Sequence, residues 1–144
     1  MKSLFLLSII FMGVTVTSQN SPNPAEDIFE LIEKVPVYPG CESLSNNEEL
    51  KRCMFKNISE FIGEKFNLDI AKNLNLKGRQ RIEVSFNINK NGWISEIKPR
   101  GPHPLLEEEA LKILMSLPQM VPGEQKGKPV TIAYLLPIVF VIEE

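Results

Sequence analysis

Histidine is almost missing from this chain: His103 is the only one, and it stands between Pro102 and Pro104. No serine nucleophile motif, HExxH or second histidine accompanies it. A nucleophile, a base and an orienting group cannot be assembled, so no catalytic residue is expected and His103 reads as a loop or helix-capping residue. The three acids Glu107, Glu108 and Glu109 point about 100° apart on a helix and cannot converge on one ion. No metal site and no cofactor are therefore expected. Basic charge is not in excess either: 16 Lys and Arg face 18 Asp and Glu, for a formal net charge of -2 and a pI near 5.6. Phosphate binding needs a concentrated basic surface, so nucleic acid is not an expected partner.

Long apolar runs are lacking at the amino terminus as well. Leu4 to Val16 is apolar but for Ser8, Gly13 and Thr15, about 13 residues against the roughly 20 that a membrane-spanning helix needs. Lys2 before it and the compact Val16-Thr17-Ser18 after it complete the plan of a cleavable secretory leader over residues 1–18. Export to the periplasm follows, with an inner-membrane anchor as the alternative. Only two cysteines are present, Cys41 and Cys53, neither beside the expected cut. In an exported chain such a pair reads first as a disulfide, worth about 3 kcal/mol in the chain-entropy picture. Free thiols, or a redox or metal site, are the alternatives.

What the chain does contain is enough apolar residue, 43% of 144, for one domain with a core. Residues 19–34 read as a flexible lead-in with Pro22 and Pro24, although 26–34 fits either a helical turn or a short strand. Pro36, Pro39 and Gly40 keep the next segment extended or turning. Ser45-Asn-Asn-Glu48 fits a capping box. Beyond it Leu50, Cys53, Met54, Ile58, Phe61, Ile62 and Phe66 recur at helical steps, which predicts an amphipathic helix of about five turns. The sequon Asn57-Ile-Ser59 falls inside that helix and is discounted. Residues 67–77 read as a partly packed connection.

From Gly78 onward the pattern turns to β. Ile82, Val84, Phe86 and Ile88 alternate with Arg81, Glu83, Ser85 and Asn87, Asn91-Gly92 suits a tight hairpin, and 93–98 returns as a second strand. Ile94 and Ile97, three apart, predict a bulge or an early end to pairing there, and Pro99, Gly101 and Pro102 are expected to end the strand. Pro104 opens a helix whose buried stripe is Leu106, Ala110, Ile113, Leu114 and Leu117. Residues 122–128 read as an exposed connector. A last strand then places Val130, Ile132, Tyr134, Leu136, Ile138, Phe140 and Ile142 on one face, with Thr131, Ala133, Leu135, Pro137, Val139 and Val141 on the other. Pro137 marks it as an edge or a bend. Its second face is apolar and needs a cover, from the first helix or another molecule.

Tyr38-Pro39, Gly78, the Ile82 to Ile88 alternation, Asn91-Gly92, Pro104, Leu106-x-x-x-Ala110, Pro118, Pro122-Gly123 and Ile138-x-Phe140-x-Ile142, in that order, resemble the carboxy-terminal domain of TonB. The likeness covers residues 35–143, within a domain taken as 35–144. It particularly resembles the small TonB-like proteins of Gram-negative bacteria that carry a Pro-Gly-Cys turn and a helical cysteine. It implies an α+β fold, a three-stranded antiparallel sheet packed on two helices. It also implies that the last strand takes up the TonB-box peptide of an outer-membrane receptor as an added strand. Carried over by position, the docking edge is Val130 to Val141. Val130, Ile132, Tyr134, Leu135, Val139 and Val141 are the partner-binding residues there, and Tyr38 and Pro39 border the domain. A homodimer through the same edge is an alternative. The chain departs from an energy-transducing TonB in two respects: Leu4 to Val16 holds no histidine, and 19–35 can extend only roughly 60 Å.

Overall fold

The computed structural model describes residues 32–143. The expected leader, and nearly all of the lead-in with its undecided element, lie outside the described residues. The chain forms helices α1 (Asn47–Lys65), α2 (Leu68–Asn73) and α3 (Pro104–Met115), and strands β1 (Gly78–Ile88), β2 (Ile94–Arg100), β3 (Gly123–Gln125), β4 (Lys128–Val130) and β5 (Ile132–Ile142). β2, β1 and β5 make an antiparallel sheet in that order, and β3 pairs with β4 in a separate hairpin. The architecture is the expected α+β sheet on two long helices.

β1 is central because its alternation buries Ile82, Val84, Phe86 and Ile88 beneath the helices. It pairs with β5 from Gly78↔Ile142 to Ile88↔Ile132 without a break. Its ladder with β2 is irregular between Ser85 and Asn87. There Glu96 takes a positive φ of 47°, which is the expected bulge. β2 continues through Pro99, opposite Val84, and ends at Arg100. Proline is tolerated there because β2 is an edge strand. At the β1–β2 turn Gly92 has φ +81°, and a Cβ there would collide with the Met120 carbonyl. The Met120 amide donates to the Gly92 carbonyl at 2.9 Å, which ties the turn to the segment after α3.

Helix α1 buries Leu50, Met54, Ile58 and Ile62, one stripe at four-residue steps. Its cap is Asn46 instead of Ser45: the Glu48 amide donates to Asn46 Oδ1 at 2.8 Å. Asparagine caps as well as serine does, so the capping position moves by one residue. The connection over 67–77 holds the short helix α2, capped by Asn67. In α3 the cap is His103, whose Nδ1 accepts from the Leu105 amide at 3.2 Å. The expected connector over 122–128 is largely the β3–β4 hairpin, turning at Lys126 and Gly127, both at positive φ. Val130 belongs to β4, and β5 starts only at Ile132.

Cys41 and Cys53 form a disulfide, with Cα atoms 6.1 Å apart. It fastens the turn at Gly40 to α1, and Cys41 is almost fully buried. Asn57 Nδ2 donates to the Cys53 carbonyl at 2.8 Å, so the discounted sequon asparagine serves the helix beside the bridge. Replacing both cysteines by serine is expected to reduce unfolding free energy by about 3 kcal/mol. Urea unfolding should report a similar loss when the wild-type protein is reduced. An unchanged midpoint under reductant would show that the cysteines are not paired.

Candidate functional site

β5 carries the candidate site, and its two faces differ sharply. Ile132, Tyr134, Leu136, Ile138 and Ile142 are buried against the helices. Phe55 meets the Tyr134 ring edge-on at 5.5 Å, and Phe66 lies 5.1 Å from Phe140. Between those contacts the helix advances about 16 Å and the strand about 20 Å. Helix α1 therefore runs alongside β5, in the same direction, and covers its core face.

The opposite face stays open. Leu135, Val139 and Val141 are 60%, 41% and 59% exposed, so α1 does not supply the cover that their apolar character requires. Across the ladder they meet Ser85, Arg81 and Arg79, and Lys98 and Arg100 follow on β2. This outer surface grades from charged on β1 and β2 to apolar on β5. Arg81 and Glu83 form an exposed ion pair at 2.8 Å, the kind that adds little stability.

β5 is also an edge. Its only strand neighbour among the described residues is β1, which leaves one row of backbone amides and carbonyls without a ladder partner. Pro137 sits within the row, opposite Glu83. Proline is accommodated on an edge strand where its missing N–H would face away from the ladder. Backbone direction alternates along a strand, so Leu135 and Val139 turn their amides outward on either side of Pro137.

The residues expected to bind a partner fall into three groups. Leu135, Val139 and Val141 lie together on the exposed face, while Ile132 and Tyr134 share the strand but point into the core. Val130 is half-buried on the hairpin. Tyr38 and Pro39 lie on the amino-terminal segment, which is bridged to the hairpin region at Val37↔Val121 and Lys34↔Glu124. Tyr38 is buried there and Pro39 exposed.

Sequence reasoning missed the flank of α1 that overhangs the edge. Ser59, Ile62, Gly63 and Phe66 form a groove there with Pro137, Ile138 and Val139. Two small residues four apart beside an apolar stripe were the available signal. Among the described residues no helix is long and apolar enough to cross a membrane.

The described residues thus form an α+β domain with a helix-backed terminal strand and an exposed apolar outer face. Residues 69–142, just over half of the chain, match the family described as the Gram-negative bacterial TonB protein C-terminal. The chain belongs to that family, which carries a TonB-like role in outer-membrane transport and a place in the cell envelope. The family works as a non-enzymatic binding and energy-transducing domain that interacts with outer-membrane receptors. No curated protein matches the chain.

Tyr134 gives the site a pH dependence. Burial pushes its phenol above the ordinary tyrosine value of 10.0, and Tyr38 shifts the same way. The fold favours the neutral phenol, so this stability is intact below about pH 10 and declines as pH rises beyond it. Tyr134→Phe should weaken that alkaline decline, read as a smaller drop in urea midpoint between about pH 8 and pH 11. An identical drop would show that Tyr134 ionises freely in the fold.

Proposed function

We propose that this protein is a non-enzymatic periplasmic binding module, exported by a cleaved leader, that captures the TonB-box peptide of an outer-membrane receptor. Capture occurs by strand addition to β5. The observation that carries this reading is the edge of β5, unpartnered among the described residues, beside exposed Leu135, Val139 and Val141. Backbone pairing supplies affinity and the apolar outer face adds burial, at about 25 cal/mol per Å² removed from water. Energy transduction from a retained membrane anchor is not part of the proposal.

A second reading is self-association through the same edge, favoured by the apolar stripe, since open strands also pair with their own copies. Sedimentation separates the two readings. The mature protein is expected to be monomeric when free and to bind the peptide one to one, whereas a free dimer refractory to peptide supports self-association.

Main-chain recognition has a signature in the peptide itself. N-methylating alternate amides should abolish binding at one parity and leave the other nearly unaffected, read by titration calorimetry. Equal tolerance at all positions would rule out an added strand.

A further inference from the structure

Asn91-Gly92 is the one Asn-Gly pair in the chain, and it forms the tip of the β1–β2 hairpin. Asparagine before glycine is open to loss of its side-chain amide, because glycine has no Cβ to shield the nitrogen that attacks. Asn91 is exposed to water, whereas Gly92 is buried. Reaction at this pair is therefore decided at the Gly92 amide.

The peptide that joins the pair is held at both ends. Its nitrogen, on Gly92, donates to the Asn89 carbonyl at 2.8 Å, and its oxygen, on Asn91, accepts from Gln119 Nε2 at 2.7 Å. The next peptide is held as well: the Gly92 carbonyl accepts from the Met120 amide at 2.9 Å, and the Trp93 amide donates to Asn89 Oδ1 at 3.1 Å. Asn89 Oδ1 also takes the Asn91 amide at 2.9 Å. The turn is thus seated on residues 119–120 from one side and closed by Asn89 from the other.

Loss of the side-chain amide requires what this seat prevents. A peptide nitrogen shares its lone pair with the carbonyl, so it attacks Asn91 Cγ only after giving up its proton, and its peptide plane must swing toward Cγ. In an open turn the Gly92 nitrogen bonds to Cγ, the Cγ–Nδ2 bond breaks, and the Gly92 proton leaves with Nδ2 as ammonia. Water then opens the five-membered imide, placing its hydroxyl on the new carboxyl group and its proton on the Gly92 nitrogen. Opening at Cγ leaves aspartate, and opening at the backbone carbonyl leaves isoaspartate.

Isoaspartate routes the main chain through Cβ and Cγ and lengthens it by one carbon. Gly92 lies so close to the segment after α3 that even a Cβ would collide with the Met120 carbonyl. A lengthened turn does not fit that seat. Val121 follows Met120 and exchanges both backbone hydrogen bonds with Val37, so an unseated turn releases one end of the bridge to the amino-terminal segment.

We infer that Asn91 is a deamidation site gated by the fold: the seated turn preserves it, an opened turn converts it, and isoaspartate then keeps the turn open. The modification records excursions of the β1–β2 turn away from residues 119–120. It needs water alone and does not depend on any guest at β5.

The test incubates the mature chain at mildly alkaline pH in buffer and in urea. The peptide spanning Asn91 is followed by mass spectrometry, and an isoaspartate methyltransferase assay counts isoaspartate. Conversion is expected to be roughly 10-fold or more slower in buffer than in urea, because the native rate scales with the fraction of molecules whose turn is open. Gln119→Ala removes one exposed bond and should raise the rate in buffer several-fold, with the rate in urea and the urea midpoint unchanged. In the refolded isoaspartate form the Met120 amide should exchange fast, whereas in Asn91→Asp it should exchange slowly. Equal conversion in buffer and urea, or conversion in neither, overturns the gated site. An unaltered rate in Gln119→Ala overturns the seat as the gate, and a protected Met120 amide in the isoaspartate form overturns the lock.

Discussion

The ladder between β1 and β5 is the constraint on which the rest depends. All eleven residues of β5 find partners on β1, and β1 is bound on its other side by β2. One flank of β5 is thereby satisfied and the other has no strand to meet among the described residues. A ladder in this register also fixes which side chains turn inward. A slip of one residue would bury Leu135 and Val139 and expose Tyr134 and Ile138. Phe55 and Phe66, spaced along α1 to meet Tyr134 and Phe140, oppose such a slip.

An exposed edge of this length is a hazard as well as an asset. Native proteins restrain such edges with charge, bulges or proline. Here the device is Pro137, which removes one donor from the middle of the row. A bulge and Pro99 do the same for β2 at the opposite side of the sheet. Random edge-to-edge stacking then lacks a continuous set of bonds, while a guest with favourable side chains can still recover enough contacts. In the proposed strand addition, affinity belongs to the backbone and selectivity to side chains. The disulfide fastens the Gly40 turn to α1 through Cys41 and Cys53.

Much of this was legible in the residues where one period dominates. The alternation from Ile82 to Ile88, the stripe from Leu50 to Ile62 and the Pro104 helix start each have one low-energy solution, and all three formed. The spacing of Ile94 and Ile97 left a bulge or an early end to pairing, and the bulge formed. Competing local solutions hid other features. Ser45 and Asn46 are both good caps, and their geometry relative to Glu48 decided between them. The β3–β4 hairpin was hidden because Lys126 adopts a positive φ next to Gly127, which a Lys-Gly turn signals weakly. The groove was invisible because it is made by elements from distant parts of the chain, and glycine in a helix advertises no particular role.

The uneven bonding of β5 is best tested by amide hydrogen exchange on the free protein. An open edge requires alternation along the strand, with Leu136 and Ile138 exchanging slowly and Leu135 and Val139 exchanging fast. Uniformly slow exchange from Ile132 to Ile142 would mean that both flanks are already bonded, and the edge would not be available to any guest.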